Sequence, residues 1–237
     1  RIKGFTLAEV LITLVVIGII AAITVPVIMA NHRKTETASR LKKFYATMSN
    51  AIKLAEMEHG TKSYEWGCPT CGDFEAEKEW FEKYLAKYIN YTKIEKMSEN
   101  AERMKLHKEM GLITGGAAIY LNDGSLMFSS ECIDNVAYDV NGDKGPNEFG
   151  RDIFVFFILS TDDNGIANDI VDNIPHFNTI EFTPIPWENN EQMLKTNYNR
   201  EKSLEKCKTD SGRTWGYCTR LIELDGWEIK DDYPWKI

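Results

Sequence analysis

The N-terminal part of the chain contains one apolar run followed by one helical repeat. Between Phe5 and Ala30 the only ionisable side chain is Glu9, and this run would form about 39 Å of helix, enough to cross a bilayer core of about 30 Å. Residues 31–59 contain no glycine or proline, and their apolar positions recur every three or four residues. These positions are Leu41, Phe44, Tyr45, Met48, Ala51, Ile52 and Ala55. Because Gly60 is a natural end, the pattern predicts one helix from Phe5 to His59.

Beyond Gly60 the pattern changes to the shorter elements of a globular domain, expected over residues 61–237. Asp73 suits the N-cap position of a charged amphipathic helix, or pair of helices, over residues 73–110. One face of this predicted helix is rich in large apolar side chains, which favours a core role over a ligand-binding shelf. Its members are Trp80, Phe81, Tyr84, Leu85, Tyr88 and Ile89.

The middle of the chain carries strand patterns. Alternating apolar residues on both sides of Asn122-Asp123-Gly124 predict a β-hairpin, and the apolar residues 152–160 predict a buried strand. Residues 166–200 are rich in asparagine and proline and predict mostly loop. A long N-terminal helix packed on a domain with an antiparallel sheet is an α+β fold.

Charge and motif content narrow the functional classes. The 237 residues include 36 acidic and 28 basic side chains, for a formal charge of −8. This balance makes nucleic acid an unlikely main partner, since phosphate binding needs clustered lysine and arginine. The four histidines are scattered, and the sequence has no nucleophile elbow, P-loop or paired-carboxylate site. The chain is therefore predicted not to be an enzyme.

The start of the apolar run carries a recognisable motif. Gly4 is followed by Phe5-Thr6-Leu7-Ala8-Glu9 and preceded by the basic residues Arg1 and Lys3. This stretch resembles the prepilin cleavage site of type IV pilins and type II secretion pseudopilins. The resemblance implies that a prepilin peptidase cuts between Gly4 and Phe5, which leaves residues 1–4 as a leader remnant, and that the new Phe5 amine is methylated.

The same resemblance assigns roles within the anchor. It implies that Glu9 pairs with the Phe5 amine, on its own or a neighbouring subunit, as subunits enter a fibre. Such pairing is physically reasonable because a buried ammonium and a buried carboxylate each need a partner. Gly18 and Pro26 match the helix-weakening residues of pilin anchors and predict a bend or local melting near residues 18–26.

The resemblance implies a structural subunit of a type IV pilus or type II secretion pseudopilus, polymerising through residues 5–30. Residues 31–60 would carry the helix into the globular domain. The implied partners are copies of itself, other pilins or pseudopilins, the prepilin peptidase and methylase, and an inner-membrane assembly platform. The alternative within the family is a minor tip pilin that binds DNA, a surface or a secreted substrate. Outside the family, the main alternative is that the apolar run is a plain signal anchor.

The positions of the charges predict the topology of the anchor. Arg1 and Lys3 place the N-terminus on the cytoplasmic side by the positive-inside tendency, so the chain would cross the bacterial inner membrane once. The globular domain would then lie in the periplasm or on a surface fibre. His32, Arg33 and Lys34 follow the apolar run, and a solvated interfacial face is favoured for them over a specific binding patch.

The chain has five cysteines, and disulfides are expected outside the cytoplasm. The simplest pairing joins Cys68 to Cys71 and Cys207 to Cys218, with Cys132 free or exchanged into either pair. A redox-active C-x-x-C and a zinc site formed by the four paired cysteines are the alternatives.

Residues 139–152 form the second candidate site. Asp139, Asn141 and Asp143 stand at alternate positions, like the opening of many calcium loops, and Asn147 or Asp152 could complete the oxygen shell. The match to an EF-hand is imperfect, because glycine falls at the seventh position of the loop and no glutamate occupies the twelfth. Calcium binding and a sharp polar turn capped by its own side chains both remain open.

Overall fold

One uninterrupted helix, α1 (Leu7–His59), joins an exposed apolar half to the core of a globular domain. It ends at Gly60, whose φ of 67° is the left-handed cap that glycine favours. The computed structural model describes residues 4, 6–63, 66–67, 69–70, 72–97, 116–129, 135–161, 166–169, 179–183, 193–194, 199–208 and 216–237. The predicted long helix and the α+β fold are both confirmed.

The second half of α1 buries one stripe of side chains in the domain. Among the predicted apolar positions on this face, Tyr45 is half-buried and all the others are buried. The buried positions are Leu41, Phe44, Met48, Ala51, Ile52 and Ala55. Phe44 is central, because its ring stacks on Tyr138 at a centroid distance of 4.0 Å and meets Phe156 edge-on at 5.4 Å. The three-to-four spacing of the sequence therefore marks the surface that holds α1 on the sheet.

Helix α2 (Phe74–Tyr84) is shorter than the sequence predicts. It begins at the expected N-cap, where the Asp73 carboxylate accepts hydrogen bonds from the backbone N–H groups of Glu75 and Ala76. The predicted aromatic face is part of the core, with Trp66 stacked on Tyr84 at 4.4 Å.

The prediction that the helix continues beyond α2 is wrong for residues 91–97. The chain turns at residues 85–90 and forms strand β1 (Tyr91–Lys96). Tyr91, Thr92 and Ile94 favour a strand, and the charged residues between them suit the edge of a sheet. Residues 98–115, which complete the predicted helical segment, lie outside the described residues.

The described strands form one sheet, and they pair with one another in antiparallel fashion. After β1 its strands are β2 (Ala117–Leu121), β3 (Leu126–Ser129), β4 (Asn135–Asp139), β5 (Ile153–Thr161), β6 (Ile166–Asp169), β7 (Thr179–Thr183) and β8 (Met193–Leu194). Strands β1 to β5 are neighbours in chain order. The predicted hairpin is confirmed as β2 and β3, with Gly124 at a φ of 81° in its turn.

Strand β5 organises the far end of the sheet. It confirms the predicted buried strand, and it pairs with β4 through Ile153–Phe157 and with β7 through Phe157–Thr161. Strand β6 pairs with the last three residues of β5, and β8 pairs with β6. The prediction of mostly loop over residues 166–200 is therefore wrong at β6, β7 and β8, and the segments between them lie outside the described residues. Strands β6 and β7 depend on pairing with β5, and β8 depends on pairing with β6.

Two short helices and a tail complete the domain. Helix α3 (Arg200–Lys208) and helix α4 (Tyr217–Leu224) pack together, and Arg200 bonds both oxygens of the buried Asp225 at 2.6 and 3.0 Å. The tail after α4 returns to the middle of α1, where Lys34 pairs with Asp231 at 3.1 Å. The Trp227 ring also lies 5.1 Å from the Tyr45 ring, so the C-terminal segment packs against α1.

Glu77 is a buried carboxylate that joins α2 to the sheet. Its side chain accepts hydrogen bonds from the backbone N–H groups of Gly72 at 2.9 Å and Ala117 at 2.8 Å. A Cβ atom at Gly116 would lie 2.3 Å from one carboxylate oxygen, so the absence of a side chain there makes room for Glu77. Burial raises the pKa of Glu77, although the two backbone hydrogen bonds oppose that rise.

Glu77 should make the stability of the domain depend on pH. Since its pKa is raised in the folded state, its stabilising contribution is present below the ordinary glutamate pKa and is lost as pH rises through the raised value. We expect the difference in free energy of unfolding between wild type and Glu77→Gln to fall over that range and then level off. Urea unfolding of the full chain in detergent, at a series of pH values, measures this difference.

The matched control is Glu79→Gln, which changes an exposed carboxylate on the same helix. Its stability should follow the wild-type pH curve. Parallel curves for wild type and Glu77→Gln would contradict the role assigned to the buried carboxylate.

Candidate functional site

The N-terminal end of α1 is built around Thr6 and Glu9. Thr6 is the N-cap, and its hydroxyl accepts a hydrogen bond from the Glu9 N–H at 3.3 Å. The Glu9 carboxylate accepts the Thr6 backbone N–H and hydroxyl, each at 2.8 Å. This reciprocal arrangement is a capping box, which satisfies two backbone donors that the helix start would leave without partners.

The capping role of Glu9 is a feature that the sequence analysis missed, although Thr6-Leu7-Ala8-Glu9 has the spacing of the motif. In the uncleaved chain the Phe5 nitrogen is part of a peptide bond, so the amine that would pair with Glu9 does not yet exist. Phe5 itself lies outside the described residues. The pairing of Glu9 with that amine stays a prediction.

The first half of α1 is long and apolar enough to cross a membrane, and its apolar window is not buried inside the protein. Its large side chains from Leu7 to Met29 are exposed. The hydroxyls of Thr13 and Thr24 donate to the carbonyls of Val10 and Ile20 within the helix, which satisfies these polar groups without water. This surface therefore suits lipid or the packed helices of other subunits.

Gly18 and Pro26 both lie inside the continuous helix. The sequence predicts a bend or local melting at residues 18–26, but the structure shows no melting there. Proline removes one helical hydrogen bond, and the flanking turns can maintain the helix around that single loss. A Cβ atom at Gly18 would meet nothing within 4 Å, so packing within the subunit does not require glycine at this position.

The 139–152 loop is held by hydrogen bonds from its own backbone. Asp139 accepts the Asn141 N–H at 3.1 Å. Asp152 accepts the N–H groups of Asn147 at 2.8 Å and Glu148 at 2.7 Å, while burial raises its pKa. Hydrogen bonds from backbone N–H groups to nearby aspartate side chains are expected of a polar turn that is capped by its own side chains.

The remaining candidate calcium ligands have different surroundings. Asp143 accepts a hydrogen bond from the Tyr120 hydroxyl at 3.2 Å. The Oδ1 atoms of Asn141 and Asn147 are buried and have no hydrogen-bond partner among the residues that the structure describes. Within the described part of the chain, no group of three histidine, cysteine, aspartate or glutamate side chains could hold a metal ion. Calcium binding by this loop stays a prediction.

The C-terminal cysteine pair is confirmed as a disulfide. Cys207 and Cys218 are joined by an S–S bond of 2.04 Å, which links α3 to α4. These two sulfur atoms are therefore not thiolates, and the alternative of a four-cysteine zinc site is wrong. The predicted Cys68–Cys71 pair and Cys132 lie outside the described residues.

Around the disulfide, the tail and the 139–152 loop meet. The Trp235 indole N–H donates to the Cys207 carbonyl at 2.9 Å, and the Tyr233 hydroxyl donates to the Gly150 carbonyl at 2.5 Å. Gly150 has a φ of 77°, and a Cβ atom there would lie 2.8 Å from the Trp235 ring and 2.9 Å from the Cys218 sulfur. Close packing at Gly150 thus couples the loop to the disulfide-linked helices.

Comparison with known proteins separates the chain into two parts. Residues 1–25 match the prokaryotic N-terminal methylation motif, the hallmark of type IV pilins and pseudopilins. Residues 27–237 match a family of unknown function, DUF6613. No curated protein and no solved structure matched the chain. The chain therefore belongs to the DUF6613 family of unknown function and is a type IV pilin-like protein with a prepilin-type N-terminal methylation motif.

Proposed function

We propose that this protein is a structural subunit of a type IV pilus or a type II secretion pseudopilus. The observation that carries the proposal is that the exposed apolar half of α1, headed by Glu9, continues without a break into the core of the domain. Such a helix can leave the bilayer and pack with equivalent helices without refolding the domain. Its lipid-facing side chains then become the contact surface of a fibre.

The proposal gives each N-terminal residue a chemical role. A prepilin peptidase cuts after Gly4, and methylation modifies the new Phe5 amine, which is a cation. Glu9 then exchanges its bonds to Thr6 for a charge-assisted bond to that amine within the growing fibre. The assembly platform and other pilins or pseudopilins are the partners, and the domain lies outside the cytoplasm. A minor tip pilin would share this anchor but would be present in far fewer copies than a main subunit.

The loop at residues 139–152 supports a second proposal, that it binds calcium. The favouring observation is that the Oδ1 atoms of Asn141 and Asn147 are buried and unpartnered in a loop that also contains the carboxylate of Asp152. Amide and carboxylate oxygens are the ligands that calcium prefers. Calcium bound there would replace the missing partners of the two amide oxygens.

Processing is the first expected outcome. The mature protein should begin at Phe5 with a methylated amine, which intact-mass measurement of the membrane-inserted protein would show. Gly4→Asp should block cleavage because the peptidase would no longer find glycine at the cut site. Gly18→Ala is the matched control and should be cleaved normally, since nothing packs against that position within the subunit. A mature chain that starts at Arg1 or after residue 30 would contradict the proposal.

Assembly should depend on the charge of Glu9. Glu9→Val should yield a folded, membrane-inserted protein that does not enter fibres, because an unpaired buried amine costs about 3–5 kcal/mol. The measurement is the amount of sheared fibre relative to the cellular pool.

Thr6→Val provides the control, because it removes the N-cap hydroxyl but keeps the carboxylate. It should still assemble. Equal loss of fibres in Thr6→Val and Glu9→Val would show that helix capping, rather than charge pairing, is what assembly requires.

Calcium binding should stabilise the folded protein. At a calcium concentration one hundred times Kd, the gain is about 2.7 kcal/mol, and it should appear as a higher melting temperature of the full chain in detergent. Asp143→Ala should abolish this rise, whereas Glu79→Ala, which removes an exposed carboxylate on α2, should retain it. Equal melting temperatures of the wild type in calcium and in chelator would leave the self-capped turn as the correct account.

A further inference from the structure

A cleft of about 670 Å³ lies where α1 enters the globular domain. Its cationic lining residues come from three parts of the chain: Arg33 and Arg40 from α1, Lys144 and Arg151 from the 139–152 loop, and Lys236 from the tail. The volume falls within the range of about 300–1,000 Å³ that is usual for small-molecule sites. Five cationic side chains line one cleft in a protein whose formal charge is −8.

Three of these cations have no partner among the residues that the structure describes. Arg33, Lys144 and Lys236 are exposed and make no hydrogen bond or ion pair with the part of the chain that the structure describes. The other two are engaged, because Arg40 pairs with Glu36 at 2.9 Å and Arg151 pairs with Glu148 at 2.5 Å. The Nε atom of Arg151 is nevertheless buried without a hydrogen-bond partner. The cleft therefore has more cationic donors than its own structure uses.

Acidic residues also line the cleft, but most of their charge is compensated locally. Glu36 is paired with Arg40, and Asp123 is paired with Lys43 at 2.8 Å. Asp152 is buried and accepts two backbone N–H groups. Asp143 also lines the cleft and accepts a hydrogen bond from the Tyr120 hydroxyl. The lining thus carries five cationic and four acidic side chains, which is an excess of one positive charge.

The position of the cleft along α1 places it at a membrane surface. Residues Val10–Ala30 would span about 31 Å as a helix, close to the bilayer core of about 30 Å. Arg33 then lies about 4.5 Å beyond the apolar run, and Arg40 about 15 Å beyond it. The polar layer of each leaflet is about 5–7 Å thick, so the wall of the cleft that Arg33 forms reaches the lipid headgroups.

We propose that this cleft binds the phosphate group of an anionic phospholipid from the outer leaflet of the membrane that α1 crosses. Arg33, Lys144 and Lys236 supply the positive charge for the phosphate. A headgroup held there would fix the domain against the bilayer before the subunit is extracted into a fibre. The inference rests on the membrane anchoring in the proposed function, but it does not require the fibre to be a pilus rather than a pseudopilus.

The test measures lipid binding by the full chain in detergent, using native mass spectrometry during titration with phosphatidylglycerol or phosphatidylcholine. The wild type should retain phosphatidylglycerol preferentially. Lys144→Gln combined with Lys236→Gln should weaken that binding about fivefold for each lysine, the usual contribution of one basic residue near an anionic surface. Inorganic phosphate at the same concentration should not displace the lipid, because the acyl chains keep the headgroup at the cleft.

Two control proteins define what the loss means. Lys53→Gln combined with Lys96→Gln makes the same charge change at exposed positions outside the cleft and should bind like the wild type. Lys144→Arg combined with Lys236→Arg keeps the charges and should also bind normally.

Several outcomes would overturn the inference. One is equal retention of phosphatidylglycerol by the wild type and the glutamine double variant, and another is displacement of the lipid by inorganic phosphate. Unchanged lipid binding with reduced fibre yield in the double variant would instead assign the cleft to an acidic protein partner. Failure to cleave after Gly4 would count against the proposed function and leave the lipid measurement unaffected.

Discussion

The packing of Phe44 against the sheet is the contact on which the architecture depends. This side chain is buried and stacks on Tyr138, while its edge contacts with Phe156 and Phe182 connect α1 to β5 and β7. Aromatic pairs of this kind add about 0.5–1.5 kcal/mol each beyond the area that they bury. The other buried side chains of this stripe, among them Leu41 and Met48, extend the same contact surface along α1. With it, the anchor and the domain have one fixed relative orientation.

The same helix has to satisfy two solvents. Up to Ala30 it is apolar on all sides, as lipid requires, and from Thr37 onward only one stripe is buried. This change of periodicity is visible in the sequence, which is why the long helix, its buried face and its end at Gly60 could be predicted. The hairpin at Asn122-Asp123-Gly124 was equally predictable, since its turn chemistry is local.

The elements that sequence reasoning missed depend on partners far away in the chain. Strand β1 has charged residues at Lys93, Glu95 and Lys96 and follows the charged helix α2 closely, so the sequence predicts that the helix continues over it, whereas pairing with β2 makes it a strand. Strand β7 similarly needs β5 beside it. In the candidate site, the motif that includes Gly4, Phe5 and Glu9 is contiguous in the sequence, so it could be identified from the sequence alone. The basic cleft could not, because Arg33, Lys144 and Lys236 are brought together only by the fold.

The unbroken course of α1 also has a mechanical meaning. Its length from Leu7 to His59 corresponds to about 80 Å of helix, and the helix is continuous from its apolar end to its domain end. A tilt of about 10° around its midpoint would move each end sideways by about 7 Å. A small change in the tilt of the apolar half would therefore move the domain sideways by a distance similar to the length of a side chain. Through a continuous helix of this length, a change of tilt at the apolar end is transmitted to the globular domain.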